Sequence, residues 1–356
     1  MRSRKMAWVA AAAAAGVAVA ATGVGLAWAQ AGGKGDKAAE QPECEIERLA
    51  GDYGDPESVS PSGEFIVGST HDEAHAEDDK TATLWADGEL EDLMPAVQEA
   101  IPETTSATAT AVNDAGTVVG YTMDFDSDGQ GFRYQDGETV ALTAPEGYPD
   151  VRVGNMNADG AVIGTASEGE MGESVPVMWE ADATEATVLE APDGELTVTD
   201  IADDGTIFGN VYEEADETYR VVSMAPGGEW EELGIKDAGG GDPVVSGDWL
   251  LAGDYRLNLA EGGEAENHEL AAKNPDDMYP SATTIDAEGN VYGQVKEGVA
   301  AIGTGGEIVE LPQKDDDYVV PPLPSLASAD GSVVAGYASD GFDEHEVHDP
   351  YVWTCA

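Results

Sequence analysis

Bases are scarce in this chain of 356 residues: Lys and Arg total 15 against 72 Asp and Glu, a formal net charge of −57. That deficit excludes partners held by phosphate or by an anionic membrane surface, because both would be repelled. It leaves cationic partners: metal ions, basic proteins or basic sugars. High solubility in salt would leave the same mark. Cysteine is nearly absent too, with Cys44 and Cys355 one at each end of the region after the leader. Large apolar residues are sparse, and Val, Leu, Ile and Phe make up 65 of the 356. By composition and charge alone such a chain reads as disordered. The apolar residues recur with a period, however, and that periodicity points instead to an ordered fold.

Long apolar runs are confined to the start. Arg2, Arg4 and Lys5 precede an apolar run from Met6 to Ala29 that closes on Ala27-Trp28-Ala29. This reads as a secretory signal peptide over 1–29, cut before Gln30; the alternative is an uncleaved anchor on the outer face of a membrane. Residues 30–43, rich in Gly, Ala and Lys, read as a flexible tether. In an oxidising compartment, Cys44 and Cys355 are expected to pair with each other.

What the chain does contain is a repeat. Ala111-Val112-Asn113-Asp114-Ala115-Gly116-Thr117-Val118-Val119-Gly120 returns at 156–164, 201–209, 285–293 and 329–336. A first copy runs from Ser62 to Gly68 and a worn one from Ser246 to Gly253. The turn glycines Gly63, Gly116, Gly160, Gly205, Gly247, Gly289 and Gly331 are 53, 44, 45, 42, 42 and 42 residues apart. Periods in the low forties built of short strands indicate propeller blades.

Each unit reads as four strands. A short apolar strand enters a turn whose closing Gly needs positive φ, and a β-branched strand follows. The third strand carries an aromatic (Trp85, Tyr134, Trp179, Trp353) and turns at a Gly such as Gly88, Gly137 or Gly228. The fourth ends on Leu: Leu93, Leu142, Leu189, Leu233, Leu270 or Leu311. Helical periodicity is not expected after the leader. The seventh unit stops after its third strand, while Cys44–Leu49 has the form of a fourth strand, like Gly88–Leu93. The expectation is therefore an all-β, seven-bladed β-propeller over 44–356, whose N-terminal strand completes the last blade and brings the two cysteines onto neighbouring strands.

The recurring Asn-Asp-x-Gly-x-Val-Val-Gly, the aromatic-x-Gly turn and the strand ending in Leu resemble the HAF-type extracellular repeat family of bacterial exported proteins. The likeness spans all seven units. The family's His-Ala-Phe third strand is replaced by sequences such as Thr81-Ala82-Thr83-Leu84-Trp85. The resemblance implies export and a propeller-like fold, and it implies no reaction.

Chemistry is sought in the loops between second and third strands, which leave a propeller on one face. The longer ones, 69–80, 123–131, 166–174, 212–218 and 338–349, hold 20 acids in 49 residues, and Lys80 is their one base. Asp124-Phe125-Asp126-Ser127-Asp128-Gly129 presents three carboxylates around one turn, as calcium loops do, but loop position 12 is Gln135 where Glu would complete the set. His71 and His75 in unit one, and His345 and His348 in unit seven, fall in loops that ring closure makes neighbours, with imidazole and carboxylate ligands suited to Zn²⁺ or Cu²⁺. Solvated acidic turns and exposed histidines are the plainer reading of both clusters.

No G-x-S-x-G elbow is present, and Arg48, Arg133, Arg152, Arg220 and Arg256 lie on different strands, unlike a sialidase-type arginine cluster. The sequence thus reads as an exported, monomeric, non-catalytic binding or scaffold propeller. Its acidic face is expected to meet a cation, a basic protein or a glycan. The alternative is a metal-assisted hydrolase or lyase acting on extracellular polymer.

Overall fold

Every blade is built on the same hairpin, and the reason each motif residue recurs is visible in a computed structural model. The structure describes residues 43–356 apart from 72–79, 124–127, 170–171, 215–216, 237–240, 272–281, 296–297, 315–317, 319 and 340–347. It consists of seven four-stranded antiparallel sheets.

Strand β1 (Cys44–Arg48) comes first and belongs to the last blade. Blade one is β2 (Tyr53–Val59), β3 (Phe65–His71), β4 (Thr81–Ala86) and β5 (Glu89–Asp92). Blade two is β6 (Ala107–Val112), β7 (Val118–Thr122), β8 (Gly131–Gln135) and β9 (Glu138–Leu142). Blade three is β10 (Asp150–Met156), β11 (Val162–Ser167), β12 (Ser174–Trp179) and β13 (Thr187–Val188). Blade four is β14 (Glu195–Ile201), β15 (Ile207–Glu213), β16 (Thr218–Met224) and β17 (Glu231–Lys236). The worn unit is blade five: β18 (Val244–Ser246), β19 (Trp249–Ala252), β20 (Tyr255–Asn258) and β21 (Glu266–Asn267). Blade six is β22 (Ala282–Ile285), β23 (Val291–Val295), β24 (Val299–Thr304) and β25 (Glu307–Glu310). Blade seven is β26 (Val320–Ala327), β27 (Val333–Ser339) and β28 (His348–Cys355), completed by β1.

The first strand of each blade touches the first strands of both neighbours, so seven inner strands close a ring around an axis. Cys44 lies directly opposite Cys355 in the β1–β28 register, and the two form a disulfide. The N-terminal strand thus removes the open edge of β28 and the disulfide clasps it.

The Asn-Asp-x-Gly turns hold the ring together. Asn113 Oδ1 accepts from the backbone N–H groups of Ala115 and Thr117, while its Nδ2 donates to Ala158 O of the next blade. Asn157 repeats this, capping Ala161 N and donating to Ala202 O. The following acid returns the contact: Asp114 accepts from Ser62 N, and Asp203 from Ala158 N. All seven turn glycines have positive φ, from 55° at Gly247 to 88° at Gly160. The Val-Val doublet serves two interfaces, with Ile66 packing toward blade seven and Val67 toward blade two. The Gly that follows permits a close approach. A Cβ on Gly68, Gly120, Gly164, Gly209 or Gly336 would stand 1.8–2.3 Å from an inner-strand carbonyl oxygen. Beyond that carbonyl, in each of these blades, the inner strand bulges.

The aromatics of the third strands also tie blades. The indoles of Trp85, Trp179 and Trp353 donate to Ala50, Thr143 and Pro312 carbonyls, each just beyond the fourth strand of the preceding blade. Tyr134 reaches Glu91 in the same way, and burial together with that carboxylate raises its hydroxyl to about 12.

Three expectations are corrected. A helix, α1 (Met94–Ala100), interrupts the strands between blades one and two. It has Pro95 in its first turn and buries Met94, Val97 and Ile101, and seven residues are too few to impose a visible period. It also explains the long first spacing of 53. The turn after the third strand of blade four places Gly227, not Gly228, at positive φ. In that blade Ile235, and not Leu233, takes the fully buried place, because β17 runs on to Lys236.

Candidate functional site

The end of the ring opposite the Asn-Asp-x-Gly turns carries the groups that the repeat does not account for. The connections β3–β4, β7–β8, β11–β12, β15–β16 and β27–β28 all leave on this side, as do the starts of the inner strands. Inner strand β2 enters here with Tyr53 opposite His71.

Asp55, third in β2, is the fixed point of this end. Its Oδ2 accepts from Lys80 Nζ at 3.0 Å, and its Oδ1 meets His348 Nδ1 from blade seven. Burial alone would raise this carboxyl, but the His348 hydrogen bond and the Lys80 and His348 charges outweigh it and hold it at about 2. Two residues on, Glu57 is the extra residue of the β2 bulge: Pro56 pairs with Gly68 and Ser58 with Val67, leaving Glu57 unpaired. Its side chain is exposed and makes no hydrogen bond or ion pair among the described residues. Desolvation by the protein beneath it, and then the negative charge of Asp55, push it up to about 7, with Lys80 opposing. Equivalent bulge positions in other blades hold Thr110, Thr199, Thr283 and Ser325, whose hydroxyls bond to backbone carbonyls. Blade one alone among these replaces a hydroxyl by a carboxyl.

Tyr121 on β7 and Arg152 on β10 complete the group. Burial raises the Tyr121 hydroxyl, and the charges acting on it are those of Arg152, Glu57, Lys80 and Asp150. Arg152 is exposed on its inner strand. Asp150, nearest to it in sequence, is occupied by Gly129 N at 2.8 Å and Ser167 Oγ at 2.9 Å.

The sequence-expected ligands are distributed as follows. His71 and His348 do come from adjacent blades, but each lies within a strand and not in a loop: His71 ends β3 and is buried, and His348 begins β28. The strands extend further than their polar composition indicates, because cross-strand partners and rings cover them. His71 stacks on Tyr53, and His348 on Tyr337 with 4.2 Å between centroids. His75, His345, Asp124 and Asp126 lie outside the described residues, whereas Asp128 is described. Among the described residues no three His, Cys, Asp or Glu side chains gather in a way that could hold a metal ion. The fifth histidine, His268, is a core residue. Its Nδ1 accepts from Ala271 N, so its Nε2 carries the proton and donates to Gly253 O, and burial lowers its basicity.

Of the other arginines, Arg48 pairs with Asp349, Arg220 with Glu213 and Glu232, and Arg256 with Glu266 and Glu269. Arg133 donates to two carbonyls. The sequence missed Glu57, Tyr121 and Arg152, although aligning the repeats sets Glu57 against Thr110, Thr199, Thr283 and Ser325.

No family model matches the sequence, and no curated protein does. Solved structures do. The β-propeller domain of the Trilobed protease from Pyrococcus furiosus, described as having an open velcro topology, superposes with a TM-score of 0.53 at 13% identity, covering 85% of this chain and 96% of that one. Puromycin hydrolase matches with a TM-score of 0.53 at 15% identity over 85% of this chain and 52% of its own. TolB from Acinetobacter baumannii matches at 11% identity with a TM-score of 0.42, over 83% of this chain and 65% of its own. At these identities the likeness is one of fold; the class is defined by this chain's own seven sheets, a seven-bladed β-propeller closed by its N-terminal strand.

Proposed function

We propose that this chain is an exported binding propeller, a relative of the HAF-type repeat proteins, whose loop face receives a cationic partner. One observation carries the reading: Lys80, the one base in loops holding 20 acids, is already neutralised by Asp55. The loops themselves therefore hold no further base; of the loop acids, Arg220 and Arg48 reach only Glu213 and Asp349 from neighbouring strands, and acids exceed bases at this face. The Cys44–Cys355 disulfide fits an oxidising compartment, and among the described residues no helix is long and apolar enough to cross a membrane. At the turn end Asn113, Asp114, Asn157 and Asp203 are consumed in joining blades, which suits a scaffold. Calcium at the Asp124-Asp126-Asp128 turn, zinc at the histidines, a basic protein or a glycan are the partners this face would take.

The test is a calcium titration of the full chain followed by melting temperature. Saturable stabilisation should appear and be lost in Asp126→Asn/Asp128→Asn, by the mass-action relation RT ln(1 + [L]/Kd). Equal, unsaturating shifts with magnesium that the double variant keeps would reduce the effect to charge screening. One observation favours the second reading, a metal-assisted hydrolase or lyase on extracellular polymer. Asp55 and Glu57, two residues apart, are pushed to about 2 and about 7, as in an acid–base carboxyl pair. Polymer cleavage lost in Glu57→Gln would establish it.

A further inference from the structure

Arg152 is the outlier of this molecule. In a chain with 72 acids it joins no ion pair and donates no hydrogen bond among the described residues, while Arg48, Arg133, Arg220 and Arg256 are all engaged. Nor is it a stray surface residue, because β10 is an inner strand of the ring. Asp150, the carboxylate two residues away, is turned to Gly129 N and Ser167 Oγ. Glu57, on the inner strand of blade one, is likewise exposed and unpartnered among the described residues, and Tyr121 of blade two feels both charges. Strands β2 and β10 both pack against β6, and β7 packs against β10, so three polar groups from three successive blades lie on neighbouring strands at one end of the ring without satisfying one another.

We infer that Arg152, Tyr121 and Glu57 form a binding site for a small zwitterion, an amino-carboxylate whose carboxylate docks on Arg152 and whose ammonium docks on Glu57. The guanidinium offers two parallel N–H donors that match a carboxylate, and such pairs are roughly twice as strong as neutral hydrogen bonds. Overall charge then selects the class. A bare anion would have to approach against the field of a chain at −57, and a bare cation would meet Arg152. A molecule carrying both charges escapes each penalty. The Tyr121 hydroxyl can donate to the carboxylate or accept from the ammonium. In blade two, between these blades, the bulge residue Thr110 turns its hydroxyl back to Val119 O and does not compete for either charge.

This site goes beyond the cationic-partner reading and does not depend on it, so its test is run with a chelator present. The full chain is titrated calorimetrically with glycine, β-alanine and 6-aminohexanoate, and with acetate and methylammonium as the separated halves. At least one zwitterion should bind saturably and at least tenfold more tightly than either half. Arg152→Gln and Glu57→Gln should each weaken it about tenfold or more, and the double variant should lose less than the product of the two, as expected when one ligand bridges both. Melting temperatures of the unliganded variants confirm that each is folded. The proposal is overturned if no zwitterion binds more tightly than acetate and methylammonium, or if Arg152→Gln binds as the parent does.

Discussion

The two ends of this ring are built on opposite principles. At the turn end the polar side chains of the repeat are structural. Asn113 and Asn157 cap their own turns and grip the next blade, and Asp114 and Asp203 grip the blade before. At the loop end the repeat is broken, and the residues that break it are charged. Glu57 stands where other blades have Thr or Ser, and Arg152 stands two residues before the blade-three bulge, in the register place of Thr108 and Thr197. A repeat protein can assign assembly to positions where its units agree and recognition to positions where they differ.

The largest effect that would break this contrast is opening the ring. Cys44→Ser/Cys355→Ser removes a bridge spanning 311 residues, for which chain entropy sets a ceiling of about 5–6 kcal/mol and about 2–4 is usual. Denaturant midpoints should fall accordingly, and the fall should be matched by adding reductant to the parent. Next come the motif glycines. Gly120→Ala sets a Cβ 2.0 Å from Thr108 O and should cost about 1–3 kcal/mol or more in chemical denaturation, whereas Gly169→Ala, with open space around it, should cost only its positive-φ strain. A smaller loss, about 1–2 kcal/mol, is expected for Asn157→Ala, which leaves Ala161 N and Ala202 O without their side-chain partner.

The pH profile sharpens the comparison. Asp200, buried at the junction of blades three, four and five, accepts from Asn155 Nδ2, Ile201 N and Val245 N, yet burial still pushes it up to about 6. Glu57 is raised to about 7. A carboxyl whose folded value is raised favours the fold while both states are protonated, and that contribution is lost as pH rises through the folded value. Asp55 acts in the opposite sense, but only as pH falls from about 4 toward about 2. Stability should therefore peak near pH 4–5 and decline toward neutrality, with Asp200 contributing at most about 3 kcal/mol of the decline. General charge repulsion has the same sign, so the melts belong in about 1 M salt, where exposed charges are screened and the buried Asp200 is screened much less. A profile flat from pH 4 to 7 under those conditions would contradict the assignment.

The fold was legible because its logic is periodic. Seven glycines at positive φ, paired Val residues for two interfaces, and Cys44 in a strand shaped like Gly88–Leu93 together specify blade number and closure. Helix α1 escaped because two turns carry no usable period, and the ends of β3 and β28 escaped because His71 and His348 look like loop residues until Tyr53 and Tyr337 cover them. The candidate site was hidden for a different reason. Acids are so common that Glu57 and Asp55 do not stand out by type, and an arginine unpaired among the described residues is recognisable only once the partners of the other four are known. Only the departures of Glu57 and Arg152 from the repeat were available beforehand.

The most direct measurement of the division between the two ends is the melting temperature of the unliganded Glu57→Gln/Arg152→Gln variant. If the loop-end charges serve recognition and not assembly, it will melt within about 2 °C of the parent or above it, because neither side chain makes a hydrogen bond or ion pair among the described residues. A fall as large as that of Asn157→Ala would show that these two charges hold the ring together, and the division between a structural end and a binding end would fail.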